Sequence, residues 1–269
     1  MTNLKRKEEV MRFNVHAGHT KQSGRSPGAS GYVHESIEDR KIKNELIKIL
    51  KGRGHTVYDC TYEGLSCSLN LYGIVRKCNR HKVDLDISIH LNCSNGQGHG
   101  TECLVYSTSS KSVSAAKKIM DSISKLGFTN RGLKIRPELA VLRKTKSPAV
   151  LIETLFCDNK TDYNLYKKVG AKGIAKAIAD AVAPASVSHS KTPAKKPAPE
   201  PKEKTTRYKV VAKEGLNVRK SPKTGTVITA LPKGTVISTT KEKGGWVYCP
   251  TLGGWLCKKG RITNFLKMV

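Results

Sequence analysis

The chain has 269 residues, which is enough for one substantial hydrophobic core and a smaller second domain. Its 49 Lys and Arg outnumber 21 Asp and Glu and give a formal charge of +28, so the expected partner is a polyanion, either nucleic acid or an anionic polymer of a bacterial wall. No segment approaches the run of about 20 apolar residues that a membrane-spanning helix requires, which argues against a transmembrane protein.

The N-terminal segment, MTNLKRKEEV, is charged and lacks the apolar core of a signal peptide. It therefore predicts synthesis in the cytoplasm without an encoded export signal. The first strand-like run begins only at Met11, so we interpret Met11 as the natural start. The eight cysteines form no CxxC pair, which is typical of free thiols and a reducing compartment of synthesis. Cys249 and Cys257 are expected on adjacent strands. The sequence leaves open whether they form a disulfide after release.

Residues 11–183 alternate between strand and helix patterns. Short apolar or alternating runs predict strands at 13–16, 56–58, 85–90, 101–106, 140–142 and 149–156. Apolar residues at helical spacing predict helices at 38–51, 69–80, 113–126 and 161–182. This alternation predicts an α/β fold with a parallel or mostly parallel sheet and helices on both faces. A site is then expected at the carboxyl ends of the strands.

The pattern changes after residue 183. Residues 184–206 hold five of the eleven prolines together with Ala, Lys and Glu, which predicts an extended linker. Residues 207–269 are rich in Gly, Val, Thr and Trp, with short alternating runs between turns, and predict a small β-barrel. Residues 184–269 contain 18 basic and only 4 acidic residues, so this part is the more densely basic.

A single acid, Glu153, interrupts the apolar run Ala149–Phe156. This composition predicts a strand buried on both faces, where an unpaired carboxylate costs on the order of several kcal/mol. Such a group is retained when a metal, a partner charge or a reaction requires it. The sequence therefore marks Glu153 as a candidate catalytic group.

Three further residues, His19, Glu35 and His90, fall at the ends of predicted strands or in the loops that follow them. Two imidazoles and a carboxylate form a zinc-binding set that leaves one position open for water, and Glu153 would be the base beside that water. The sequence thus predicts a zinc hydrolase. On composition alone, His16 and His34 could replace the histidine ligands, and Glu38 could replace Glu35.

Three segments resemble a known family: His16–His19, Ser88–Asn92 and Pro148–Glu153. In this order and spacing they resemble the zinc-dependent N-acetylmuramoyl-L-alanine amidases found among phage endolysins and autolysins of Gram-positive bacteria. The resemblance covers residues 11–183. It implies hydrolysis of the amide between the lactyl group of N-acetylmuramic acid and L-alanine in peptidoglycan.

The same resemblance assigns roles to individual residues. It implies that His19, Glu35 and His90 bind Zn²⁺ and that Glu153 is the catalytic acid. We also expect Arg143, which precedes the Glu153 strand, to contact substrate.

The C-terminal residues resemble bacterial SH3-like wall-targeting domains, through Gly215–Arg219 and the pair Gly245-Trp246. This resemblance implies a domain that binds the cell wall, with Trp246 and Tyr248 as candidate contacts and Trp255 in the core. The implied partners are peptidoglycan and anionic wall polymers. The basic segments lack the interleaved aromatic residues expected for single-stranded nucleic acid, so nucleic acid is not expected as a partner.

The sequence as a whole predicts a phage or prophage endolysin that acts at the bacterial wall after release. Two alternatives stay open: a zinc peptidase that cuts the peptidoglycan stem peptide, and a wall-binding protein without catalytic activity.

Overall fold

The computed structural model describes residues 9–21, 23–24, 26–64, 66–184, 205–260 and 264–269. These residues form two compact units, 9–184 and 205–269. Most of the predicted linker, and most of the N-terminal segment before Met11, lie outside the described residues. The exact domain boundaries therefore stay predictions.

The first unit is built from six strands and five helices among its described residues. The strands are β1 Arg12–Ala17, β2 Thr56–Asp59, β3 Leu85–Asn92, β4 Thr101–Val105, β5 Asn130–Ile135 and β6 Ala149–Phe156. The helices are α1 Glu35–Gly52, α2 Cys67–Cys78, α3 Val113–Ser124, α4 Ala140–Lys144 and α5 Lys160–Val182. None of the described helices is long and apolar enough to cross a membrane.

The six strands form one mixed sheet in the order β2-β1-β3-β6-β4-β5. Strands β2, β1, β3 and β6 are parallel to one another, whereas β4 is antiparallel to β6 and parallel to β5. The predicted α/β fold with a mostly parallel sheet is confirmed. His90 of β3 lies directly opposite Glu153 of β6, so two candidate site residues are neighbours in the sheet.

The two faces of the sheet differ in polarity. One face packs apolar side chains such as Phe13, Ile87 and Ile152 against α1, α3 and α5. The other face, near α2 and α4, has a smaller apolar cluster that includes Leu104 and Leu151. Because strand side chains alternate between faces, this second face also carries a row of polar side chains. They are Asn14, His16, Asp86, Ser88, His90 and Glu153.

The structure differs from the prediction in two elements, one assigned to the wrong type and one not predicted. Residues 140–142, predicted as a strand, begin helix α4, because a short apolar run does not distinguish a strand from a helix by periodicity. Strand β5, which was not predicted, lies at the sheet edge with its side chains exposed or half-buried. Its sequence, NRGLKI, has the charges and glycine typical of an edge strand rather than an apolar run.

The second unit is all-β in its described residues. Its strands are β7 Thr206–Val210, β8 Leu216–Arg219, β9 Val227–Leu231, β10 Val236–Thr239, β11 Lys241–Lys243, β12 Trp246–Cys249, β13 Gly254–Cys257 and β14 Leu266–Met268. They form antiparallel sheets in the orders β10-β7-β14 and β11-β12-β13-β8-β9. The β-rich C-terminal region is as expected, whereas closure into an SH3-like barrel stays a prediction.

Trp255 does not occupy the core of this unit, contrary to expectation. In β13 the buried side is taken by Gly254 and Leu256, which leaves Trp255 half-buried on the opposite face. There its ring lies 5.3 Å from that of Tyr248, centroid to centroid.

Cys249 and Cys257 do lie on adjacent strands, but they are not opposite each other. Cys249 pairs with Gly254, and Cys257 pairs with Trp246. Both thiols are free, and the structure does not join them in a disulfide.

Candidate active site

The structure brings His19, Glu35 and His90 together at the carboxyl end of the sheet. His90 lies in β3, His19 lies in the loop after β1, and Glu35 is the first residue of α1. Oε1 of Glu35 lies 3.3 Å from Nε2 of His19 and 3.1 Å from Nδ1 of His90. One potential ligand atom from each residue lies within 4.8 Å of the other two. A single carboxylate oxygen is thus shared by two imidazole nitrogens.

The backbone holds the Glu35 carboxylate in place. Ala29 N–H donates to its Oε2 at 2.8 Å, and Leu91 N–H donates to its Oε1 at 3.2 Å. Burial opposes ionisation of Glu35, but hydrogen bonds with His19 and His90 outweigh it and hold the pKa of the carboxyl well below its usual range. Glu35 is therefore an anion, as a metal ligand must be.

Neighbouring elements fix the two histidines through their backbone carbonyls. Arg40 of α1 donates to the carbonyl of His19 at 2.9 Å, and Thr154 of β6 donates to the carbonyl of His90 at 3.0 Å. Asn70 of α2 donates to the carbonyl of Gly18 at 3.3 Å. The loop after β1 is thereby attached to both α1 and α2.

Two glycines leave the space that this cluster needs. A Cβ at Gly18 would collide with the ring of His90. Gly28 has φ +79°, and a Cβ there would collide with Glu35 Oε2 and lie 2.7 Å from the ring of His19. Side chains at either position would displace the candidate ligands, which explains glycine on both sides of His19.

His90 is oriented by both of its ring nitrogens. Nδ1 faces Glu35, while Nε2 lies 3.1 Å from Ser88 Oγ, which lies 3.4 Å from Nδ1 of His16. His16 is fully buried, and burial, with a smaller contribution from the charge of His90, lowers its pKa to about 3. His16 is therefore a neutral group beneath the site.

The surroundings of His90 favour a positive charge. Burial alone would lower its pKa, but the hydrogen bond with Glu35 and the charge of Glu153 outweigh burial and raise the pKa of His90 to about 9. A bound cation would satisfy the same negative surroundings in place of that proton.

Glu153 is the acid next to this cluster. Burial, assisted by the charges of Glu35 and Glu102 and opposed by that of His90, raises its pKa to about 7. Its Oε2 is buried and has no hydrogen-bond partner among the residues that the structure describes. Near neutral pH such a carboxyl exchanges a proton readily, which suits a general base that later acts as an acid.

A cavity of about 340 Å³ opens over these residues. His19, His90 and Glu153 line one part of its wall, and residues 138–141 and Arg136 line another. Arg143 is exposed on α4 and is not among the lining residues, so the structure does not bring it to the cavity. Arg136 was missed because it follows β5, the edge strand without an apolar pattern.

The alternative ligands lie outside the cluster. His16 is buried beneath Ser88, and His34 is exposed, with its Nδ1 2.8 Å from Ser30 Oγ. Glu38 accepts a hydrogen bond from the hydroxyl of Tyr166 at 2.6 Å and pairs with Lys41. The geometry therefore distinguishes the candidate ligands from His16, His34 and Glu38, which composition alone did not do.

The donor set fits zinc. Two imidazole nitrogens and one carboxylate oxygen, with an additional carboxyl at the cavity wall, match the three ligands and adjacent base of catalytic zinc sites. The orphaned oxygen of Glu153 next to them supports the same interpretation.

Curated relatives of this chain include bacterial and phage proteins. An uncharacterized protein of Clostridium perfringens is 36% identical over 164 residues, which cover 60% of this chain and 48% of that protein. The endolysin of Bacillus phage SPP1 is 33% identical over 148 residues, which cover 52% of this chain and 54% of that protein. The chain thus spans about half the length of the curated relatives it matches.

The catalytic domain of CD27L, an endolysin targeting Clostridia Difficile, is a similar solved structure. It is 36% identical, with a TM-score of 0.60, and the alignment covers 64% of this chain and 96% of that chain. The family model of N-acetylmuramoyl-L-alanine amidases of the Amidase_3 type matches residues 14–184, which include His19, Glu35, His90 and Glu153. The chain therefore belongs to the N-acetylmuramoyl-L-alanine amidase family.

Proposed function

We propose that this chain is a zinc-dependent peptidoglycan hydrolase that cleaves the amide between N-acetylmuramic acid and L-alanine, and that it acts at the bacterial wall as an endolysin. The observation that carries the proposal is the half-buried acid Glu153 beside the His19, Glu35 and His90 cluster. One of its carboxylate oxygens has no hydrogen-bond partner among the described residues. Family membership and the similarity to endolysins support the same substrate and bond.

His19, Glu35 and His90 would hold the metal, and His90 would do so through Nδ1, the nitrogen that faces Glu35. When bound, Zn²⁺ supplies polarisation of the substrate carbonyl and a water of lowered pKa. Oγ of Ser88 lies 3.1 Å from Nε2 of His90 and would accept a hydrogen bond from it, which would keep the proton on that nitrogen. The imidazole therefore stays in the tautomer that leaves Nδ1 free to bind.

Glu153 performs the proton transfers. Its carboxylate takes a proton from the attacking water and then gives that proton to the departing amine of L-alanine. Burial raises the pKa of Glu153 to about 7, so that near neutral pH this carboxyl is able both to accept and to release a proton. Leu139 and Val141 contribute apolar side chains to the wall of the same cavity.

The second unit is proposed to bind the wall through an aromatic face. Alternation along β12 places Trp246 and Tyr248 on the same side, and Trp255 of β13 lies opposite Tyr248. Rings on one sheet face suit stacking against sugars or peptides, and the basic surroundings add attraction to anionic wall polymers. We propose that this unit has an SH3-like fold and that its target is peptidoglycan.

Product analysis of digested cell walls tests the enzymatic proposal. Purified protein is assayed with and without a chelator, after zinc replacement, and as Glu153→Ala, with products identified by mass spectrometry. Stem peptides with a free L-alanine amino terminus, lost with chelator or substitution and restored to the wild type by zinc, are expected. Cleavage inside the stem peptide would instead identify a peptidase, and binding without cleavage would leave a wall-binding protein.

A further inference from the structure

A second cluster of potential metal ligands lies outside the candidate active site. Cys93 follows β3 directly, and Cys157 and Asp158 follow β6 directly. Because β3 and β6 are neighbouring parallel strands, with Cys157 N–H donating to the Asn92 carbonyl at 2.8 Å, the residues after them meet side by side. The two sulfurs and a carboxylate oxygen of Asp158 all lie within 4.8 Å of one another.

The carboxylate of Asp158 is only half satisfied by protein. Its Oδ2 accepts hydrogen bonds from the backbone N–H groups of Ser94 at 3.0 Å and Gly96 at 2.9 Å. Its Oδ1 is buried and has no hydrogen-bond partner in the part of the chain that the structure describes. A buried carboxylate oxygen without a partner is costly and is a natural ligand for a cation.

While no cation is bound, the two thiols beside Asp158 are held in the neutral form. Burial and the neighbouring Asp158 raise the pKa of the Cys93 thiol. Burial, Cys93 and Asp158 raise the pKa of the Cys157 thiol. Among the described residues, no basic side chain forms an ion pair with Asp158. Ionisation of either thiol would place a second negative charge next to Asp158, and no basic side chain among the described residues neutralises it.

We propose that Cys93, Cys157 and Asp158 form a second metal site, for a thiophilic divalent cation such as Zn²⁺. Two sulfurs select zinc over Mg²⁺ and Ca²⁺, which prefer oxygen ligands. On binding, the two thiols release their protons to solvent and coordinate as thiolates. Cys93 is exposed, so the cation reaches the site from solvent, whereas Cys157 is buried.

The site would stabilise the strands that carry the candidate catalytic residues. Cys93 is three residues beyond His90, and Cys157 is four residues beyond Glu153. A cation that joins the two strand ends would hold His90 and Glu153 at a fixed separation. This role is structural, and it holds whether or not the other cluster proves to be a catalytic zinc site.

Titration of the reduced, metal-free full chain with Co²⁺ tests the proposal. Thiolate ligation produces a sulfur-to-cobalt charge-transfer absorption in the near ultraviolet, which the His19, Glu35 and His90 cluster does not produce because it has no sulfur. We expect this absorption in the wild type and its loss in Cys93→Ser. Cys67→Ser is the matched control, because Cys67 is also exposed, and it is expected to retain the absorption.

A second experiment tests this site independently of the proposed enzymatic function. Glu35→Gln disables the candidate catalytic site and is expected to retain the sulfur-to-cobalt absorption. Zinc should raise the thermal midpoint of Glu35→Gln but not that of Glu35→Gln combined with Cys93→Ser. Absence of the absorption in the wild type, or its persistence in Cys93→Ser, would overturn the proposal.

Discussion

Glu35 and Glu153 both lie next to His90, yet their proton affinities are opposite. Glu35 is hydrogen-bonded by two backbone amides and two imidazoles, which hold its pKa well below the usual range. Glu153 has a buried oxygen that no described residue hydrogen-bonds, and burial raises its pKa to about 7. Environment alone thus keeps one carboxyl charged and leaves the other able to exchange a proton near neutral pH.

The two acids should therefore fail in different ways when each is replaced by glutamine. We expect Glu153→Gln to lower wall hydrolysis by about 10²- to 10⁴-fold, the usual contribution of a general base, while zinc content stays unchanged. Glu35→Gln should lose activity and the zinc ion held by His19, Glu35 and His90, because an amide is a weaker ligand than a carboxylate. Lysis rate and bound zinc are measured on each variant.

Glu45→Gln is the control for both variants, because Glu45 lies on α1 and does not line the cavity. It should keep wild-type zinc content and rate. Zinc loss in Glu153→Gln would contradict the division of roles, since it would make Glu153 a ligand.

Asp86 illustrates a buried acid that serves no step of the proposed reaction. It lies on β3 on the same face as His90, is 2% exposed, and burial raises its pKa to about 6, with Asn14 and Cys78 opposing the rise. The folded protein therefore binds a proton more tightly than the unfolded chain, whose Asp pKa is near 3.8. Stability from this group is fully present below pH 3.8 and is lost as pH rises through about 6.

Asp86→Asn should remove this loss. The difference between 3.8 and about 6 corresponds to on the order of 3 kcal/mol, so the variant should gain up to that amount relative to wild type between pH 4 and pH 8. Urea unfolding at both pH values measures it. Asp121→Asn, an exposed acid of α3, should show no such pH-dependent gain. An equal difference at both pH values for Asp86→Asn would contradict the argument.

At the scale of elements, the loop that enters α1 decides whether the site forms. Helix α1 begins at Glu35, three residues before the predicted start, and so places a candidate ligand in its first position. The loop approaches that residue closely enough that only glycine fits at position 28.

Gly28→Ala should therefore abolish zinc binding by His19, Glu35 and His90. It combines the strain of φ +79° with a collision against Glu35 Oε2. Gly54→Ala is the matched control, since it has φ +86° but open space around the added Cβ. Both substitutions should cost about 1 kcal/mol of stability from backbone strain. Only Gly28→Ala should bind one zinc ion fewer per chain, measured by metal content after dialysis, and equal zinc loss in both variants would contradict the collision.

The sequence predicted those elements whose pattern depends on burial. The apolar runs of β3 and β6 and the helical spacing of α1 and α3 all led to the observed elements. Strand β5 was missed because an edge strand has little apolar pattern, and α4 was mistaken because five residues are too few to show a period.

The candidate ligands came from residue type and resemblance, but composition left His16 and Glu38 as alternatives. Only three-dimensional packing distinguishes Glu35, which meets both imidazoles, from Glu38, which meets Tyr166. The same limit applies to Ser88 and Arg136, whose places beside His90 and at the cavity wall depend on strand pairing and on loop conformation.

At the scale of the whole molecule, the chain combines a unit of the amidase family with a smaller and more densely basic β-rich unit. Joining a binding domain to an enzyme raises the local concentration of substrate without any change in the active site. The two properties should therefore be separable by substitution, and only wall binding should depend strongly on the charge of the second unit.

Trp246→Ala combined with Tyr248→Ala should lower binding of the full chain to insoluble walls, while hydrolysis of a small soluble muropeptide stays at the wild-type rate. The reason is that the two rings share one outward face of β12, while Val247 and Cys249 fill the core side. Val236→Ala, at an exposed apolar residue of β10, is the control and should leave both properties unchanged.

Residual binding should fall further as salt rises, because screening at 1 M reduces the electrostatic range to about 3 Å. Co-sedimentation with walls at low and high salt measures it. Binding that is unaffected by the double substitution and by salt would contradict a wall-binding role for this face.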